Sequence, residues 1–225
     1  MGTAEMLRSA GVGVGDEVVV SAFGNVEVTE AVIMTGAVPV FADIDPVTYC
    51  LDASAVEAAI TARTGAIVVV HRFGRPADMG RLLEVGQRHG VLVLQHGESE
   101  APYDEIAQRR QRAAFLDLRL RGVRTPDDGD GHTYQQYVVR VPGNGRPDRD
   151  AFARALRARG IDCRVPVKAP MHRMPVFRAC VSLPETELAV DETLALPVDA
   201  SLTKREMQRI VSACNSLGGL LQPAF

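Results

Sequence analysis

Lysine is almost missing from this chain of 225 residues: Lys168 and Lys204 are the only two, and every other one of its 25 Lys and Arg residues is arginine. The bias toward Arg most simply reflects a GC-rich genome. It leaves two side-chain amines for any chemistry that needs one. No apolar run approaches the roughly 18 residues that cross a bilayer. MGTAEMLRSAG (1–11) lacks the basic-then-apolar order of a signal peptide, and its Met-Gly start has no second anchoring signal beside it, so no membrane association and a cytoplasmic location are expected. The four cysteines, Cys50, Cys163, Cys180 and Cys214, show no paired spacing and read as reduced thiols. A net charge of −3 argues against a nucleic-acid partner. What is present, 46% hydrophobic and 24% charged residues, is ordinary for a packed core in one large or two small domains.

Strand and helix signals alternate from residue 17. EVVVSA (17–22), VPVFA (38–42), AIVVV (66–70) and VLVL (91–94) read as buried strands. Helical patterns cover about 28–35, 53–62 and 77–89, with Ser54 or Asp52 able to cap the second and Gly90 ending the third. Continuous apolar strands separated by helices imply a parallel sheet covered on both faces. The character then changes. Residues 105–121 form one Arg-rich amphipathic helix, with Ile106, Ala113, Ala114, Leu116 and Leu120 on its apolar side and a solvated basic face. A loop (124–131), a strand (134–141), a helix (148–159), Pro-rich strand pieces and loop (162–186) and a last helix (203–217) suggest a small α/β domain.

Several segments carry a specific likeness. GVGVGDEVVV (11–20), GAVPVFADIDPVTYCLD (36–52), HRFGRPADM (71–79) and HGVLVL (89–94) resemble the front half of the DegT/DnrJ/EryC1/StrS sugar aminotransferases. Residues 105–121, 134–141, the RARGID turn (157–162) and ALPVDASLTKREMQRIV (195–211) are similar to that family's connecting helix and small domain. The resemblance implies an α/β fold: a truncated pyridoxal-phosphate (PLP) transferase of fold type I, with a mostly parallel sheet flanked by helices. Its divisions would be a large-domain remnant at 1–104, a connecting helix and loop at 105–131, and a small C-terminal α/β domain at 132–225.

The departures fall where the resemblance implies chemistry. The family's acidic pair after the fourth strand, whose aspartate keeps the cofactor's ring nitrogen protonated, is replaced by Gln95 and His96. The stacking aromatic is matched by Asn25; Phe23 comes too early. Gly2 and Thr3 match the family's phosphate-binding Gly-Thr, which would make them a vestigial anion site. After Tyr103 the long stretch carrying further strands and the Schiff-base lysine is absent, and neither Lys168 nor Lys204 matches that lysine. No cofactor and no metal are therefore expected.

The polar residues that remain define the candidate site. His96, Glu98 and Glu100, alternating past a strand end, would share one side of an extended chain. His96 and Glu98 are the candidate proton-transfer pair, with His71 as a third catalytic candidate. Asn25, Ser99, His132, Lys168 and His172 are candidates for holding substrate. Asp43 and Asp45, in the DIDP context, read as turn formers ahead of Pro46. Two functions follow as expectations. One is a PLP-independent acid/base enzyme (isomerisation, dehydration or cyclisation) acting on a sugar-like or polyketide-like molecule in natural-product biosynthesis. The other is a non-catalytic partner of a full-length aminotransferase or other pathway enzyme, working as a homodimer or heteromer.

Overall fold

The structure is a computed structural model that describes residues 2–97, 102–142, 148–199 and 201–218, with the backbone alone at 148 and 218. Glu98, Ser99 and Glu100 lie outside the described residues.

The chain divides into two compact units. The first comprises Met1–Arg72, Pro76–Ser99 and Ala169–Glu187. It contains α1 (Thr3–Ser9), β1 (Glu17–Ser21), α2 (Val26–Met34), β2 (Val38–Ala42), α3 (Ala53–Ala59), β3 (Thr64–Val70), α4 (Met79–His89) and β4 (Leu92–His96). The strands form one parallel sheet in the order β2-β1-β3-β4. Alternate residues of one strand serve opposite faces. Val18 and Val20 of β1, with Ala66 and Val68 of β3, pack with Leu7, Val28 and Val32 of α1 and α2. Val19, Ile67 and Val69 pack on the other face with Val56, Leu82 and Val85 of α3 and α4. Double coverage is why these strands read as unbroken apolar runs. Of the two candidate caps, Asp52 takes the role: its carboxylate accepts from the Ala55 N–H at 2.8 Å.

The Pro-rich stretch assigned from sequence to the C-terminal domain belongs in part with this first unit. Met171, Phe177 and Leu183 join the core under β1 and β3, and the Met171 N–H donates to the Ala22 carbonyl at 2.9 Å. Of the expected strand pieces, an antiparallel bridge of Arg164 to Ala195 is present among the described residues, and Met171–Arg173 form a 3-10 turn.

The second unit comprises Phe73–Arg75, Glu100–Lys168 and Leu188–Phe225. Its elements are α5 (Tyr103–Asp117), β5 (Tyr137–Arg140), α6 (Asp148–Ala158), the second half of α7 (Pro184–Glu192), β6 (Thr193–Leu196) and α8 (Lys204–Gly218). β5 and β6 pair antiparallel. Ala113, Leu116 and Leu120 enter the core of this unit, joined by Leu156, Leu194 and Cys214. Ala114, expected on the same apolar side, is exposed, because it sits one residue off the i, i+3, i+7 stripe. The "solvated" arginines of α5 are partly tied down: Arg110 Nε donates to the His132 carbonyl at 2.8 Å and Arg112 Nε to that of Leu202 at 3.4 Å. None of the four cysteines is in a disulfide; Cys50, Cys163 and Cys214 are buried and Cys180 is exposed. Among the described residues no helix is long and apolar enough to cross a membrane.

Candidate functional site

In the first unit, β4 delivers His96 at its C-terminal end, where open α/β sheets place ligands. The half-exposed imidazole is not isolated. Its Nδ1 lies 2.5 Å from the hydroxyl of Thr3, at the first turn of α1. Thr3 is buried, so this bond is shielded from competing water. Nδ1 is thereby committed, and Nε2 has no hydrogen-bond partner among the described residues.

His71 is held differently. Its Nδ1 accepts from the Ala77 N–H at 3.0 Å, so Nε2 carries the proton and donates to Gln95 Oε1 at 3.3 Å. Both nitrogens are engaged, one closing the 71–77 turn and the other orienting Gln95 beside His96. Asn25 caps α2 in the left-handed region, at φ 85°, with its side chain half-buried and making no cap bond. Phe23 is fully buried, stacked on Tyr49 at 5.6 Å with the Arg72 guanidinium 5.5 Å from its ring centre. Burial pulls the Arg72 guanidinium down to about 10.

His172, read from sequence as a loop residue near Lys168, is 2% exposed and belongs to the first unit. Its Nε2 bonds Glu187 Oε1 at 3.1 Å. Burial raises the Glu187 carboxyl, but the His172 bond and the Arg173 charge outweigh it and hold the group below its usual value. Lys168 is exposed and lies in the second unit, as does Lys204 at the start of α8. Asp45 is the turn former expected, accepting from the Val47 and Thr48 N–H groups. Asp43 does more: it accepts from the Glu185 N–H at 3.0 Å, and from the Thr186 N–H at 2.8 Å and hydroxyl at 2.7 Å, anchoring the start of α7. No local sequence signal announces that tie, because its partners lie 142 and 143 positions away.

His132 lies in the second unit. It is 5% exposed and stacks on Tyr134 with ring centres 3.9 Å apart, while its Nδ1 accepts from the Tyr134 N–H at 3.0 Å. Burial, with the Arg75 charge, holds the imidazole down to about 4. Folded, it stays neutral until about pH 4; unfolded, it gains its proton near 6.5. Between those values the unfolded chain binds more protons, so stability should fall as pH falls, by at most about 3 kcal/mol. Urea midpoints from pH 7 to 4.5 should show this slope in the parent protein and a flatter one in His132→Gln.

His132 lines a cavity of about 420 Å³ with Arg110, Asp117, Asp128, Asp130 and Tyr134. Sequence reasoning found His132 but missed the three aspartates: Asp117 ends α5, and Asp128 and Asp130 lie in a stretch that read only as a loop. Asp117 accepts from the Tyr137 hydroxyl at 2.5 Å, yet burial first, and the Asp128 charge second, raise its carboxyl. Among the described residues no three or more His, Cys, Asp or Glu side chains are grouped to hold a metal ion.

A L-glutamine:2-deoxy-scyllo-inosose aminotransferase of Streptomyces kanamyceticus is 52% identical over 97 residues, 42% of this chain and 23% of that protein. A pleiotropic regulatory protein of Geobacillus stearothermophilus is 28% identical over 299 positions, covering 91% of this chain and 79% of its own. That alignment is longer than this chain's 225 residues, so the relative carries sequence without a counterpart here. The aminotransferase TlmJ from Streptoalloteichus hindustanus superposes with a TM-score of 0.87 at 23% identity, over 98% of this chain and 84% of that one, a likeness that shows the α/β fold. The sequence profile of one family matches residues 2–97 and 103–215, breaking at the end of the β4 segment. The chain belongs to the DegT/DnrJ/EryC1/StrS aminotransferase family.

Proposed function

We propose that this family member no longer performs PLP-dependent transamination and instead does cofactor-free acid/base chemistry at the end of β4. The observation that carries this reading is the 2.5 Å contact between Thr3 Oγ1 and His96 Nδ1. The resemblance gives those two positions to the phosphate anchor and to the partner of the ring nitrogen, groups that a bound cofactor would hold apart. Here they bond each other, and the residues present do not fit PLP. Asn25 offers no π-face, and neither Lys168 nor Lys204 matches the position that the resemblance gives to the Schiff-base lysine.

In the proposed role, Thr3 orients the imidazole and Nε2 meets the substrate. Neutral, Nε2 accepts a proton from a carbon acid or hydroxyl; protonated, it returns one. His71 acts as a positioning residue, since it holds Gln95 at the neighbouring strand residue. Glu98 and Ser99 remain proposed partners. By analogy with the inosose aminotransferases, the substrate class is a hydroxylated ring ketone. In D2O, with a panel of such ketones followed by NMR, the protein should catalyse exchange at the carbon beside the carbonyl. His96→Ala should lower that rate about 10²–10⁴-fold. Borohydride treatment after incubation with PLP should leave the chain's mass unchanged; a covalent adduct at a defined residue would overturn the proposal.

A second reading has its own observation. The described sheet ends on β4, the last element before the break in the family match, and Leu92 there is 40% exposed. Such an edge invites pairing, consistent with a non-catalytic partner role in a homodimer or heteromer. A clean monomer by light scattering would argue against it.

A further inference from the structure

The described sheet has two edges, and they are not alike. β2 forms one. Its Val38 N–H points inward and donates to the Asp16 carbonyl at 2.9 Å. Successive residues of a strand turn their N–H groups to opposite sides. The next residue, Pro39, therefore turns outward, where it has no N–H to offer. A proline so placed blunts an edge against pairing.

β4 forms the other edge and carries no such device. Residues 91–96, VLVLQH, include no proline and no Lys, Arg, Asp or Glu. None of the five residues of β4 is buried, and Leu92 is 40% exposed. The strand is nevertheless firmly held. It pairs with β3 from Ala66↔Leu92 to Val70↔His96. On one face α4 comes so close at Gly86 that a Cβ there would lie 2.5 Å from Val93 Cγ2. The outer N–H and C=O groups of β4 are thus preorganised for one more strand.

We propose that β4 pairs antiparallel with β4 of a second copy of this chain, about a two-fold axis through Val93. The inference rests on the partner role read from this edge, and names the occupant and its register. Two properties of the strand select its own copy. A two-fold axis at a sheet edge sets a strand antiparallel to itself, and the contact closes with two chains. The strand is also self-complementary in that register. Leu92 falls opposite Leu94 of the second copy, twice by symmetry, so the exposed leucine gains an apolar partner on its own face of the sheet. An axis through Leu94 would instead set Leu92 against His96 and Val93 against Gln95, apolar against polar. With the axis at Val93, His96 falls opposite Gly90 of the second copy. There is room for it, since a Cβ at Gly90 would meet no atom within 4 Å. The second copy then borders the His96 site.

Light scattering of the full chain over a concentration series should show a monomer–dimer equilibrium. Leu92→Lys places a charge on the open edge at an exposed position, so the urea midpoint should hold. It should raise the dimer dissociation constant at least about 10-fold, because symmetry counts the lost pair twice. Val38→Lys, a charge on the edge that Pro39 already blunts, should leave the dimer as it was. Hydrogen exchange reads the interface on the unaltered chain: amides of 91–96 should slow as concentration rises, and should not in Leu92→Lys. A monomer at every concentration would sink both this interface and the homodimer reading. A dimer that Leu92→Lys leaves intact, that Val38→Lys breaks instead, or that forms without slowing exchange in β4 would overturn this interface alone.

Discussion

Asp43→Ala should lower the unfolding free energy by about 3 kcal/mol, read from the urea midpoint at constant slope. The side chain looks like one half of a DIDP turn, and it does accept from the Ile44 N–H at 3.0 Å. Its larger task is with the first residues of α7, whose N–H groups have no carbonyl before them within the helix. Two of those donors, at Glu185 and Thr186, point at Asp43, and so does the hydroxyl of Thr186, a residue with no exposure at all. Removing the carboxylate leaves a buried hydroxyl and helix-end amides unsatisfied together. A lost cap alone costs about 1 kcal/mol; the stranded buried donors supply the rest. Asp43→Asn keeps an acceptor and should recover about half. A turn-only role predicts a loss below about 1 kcal/mol for Asp43→Ala, so the measurement separates the two.

Gly74→Ala should cost about as much, 3 kcal/mol or somewhat more. Gly74 belongs to HRFGRPADM, one of the segments that carry the family likeness. Its φ of +86° is strained for any residue with a Cβ, and a methyl group there would meet the Thr133 hydroxyl at 2.3 Å and the Gln135 backbone nitrogen at 2.6 Å. The side-chain oxygen can rotate away; the backbone nitrogen cannot. The Gly74 carbonyl also accepts from the Thr133 N–H at 2.7 Å, next to His132. Displacing this backbone should therefore disturb the His132 cavity as well as stability. Denaturation together with the His132 NMR signal would report both: the signal should shift in Gly74→Ala and stay in place in a destabilised variant elsewhere, such as Asp43→Ala.

What could be read from the chain was what depends on near neighbours. Four parallel strands were legible because each carries a run of apolar residues, unbroken in β1 and β3, which are covered on both faces. The turn at Asp45 and the cap at Asp52 were legible because donor and acceptor lie within three residues of each other. α7 was not, because PETELAVDE has its helix start tied down by a residue far away in the chain. His172 was misjudged for a similar reason. A proline-rich stretch suggests surface, and only packing under β1 and β3 buries it.

By itself the sequence determined the family, the alternation of strands and helices, and a supply of two lysines, because these depend on residue identity and local periodicity. It also marked His96 and His132 as residues to watch. Only the tertiary structure decided what those histidines do with their nitrogens: one is bonded to Thr3, the other to the backbone around Gly74 and Tyr134. The physical reason is that a histidine's chemistry belongs to whatever its nitrogens bond, and those partners are chosen by folding across long stretches of chain.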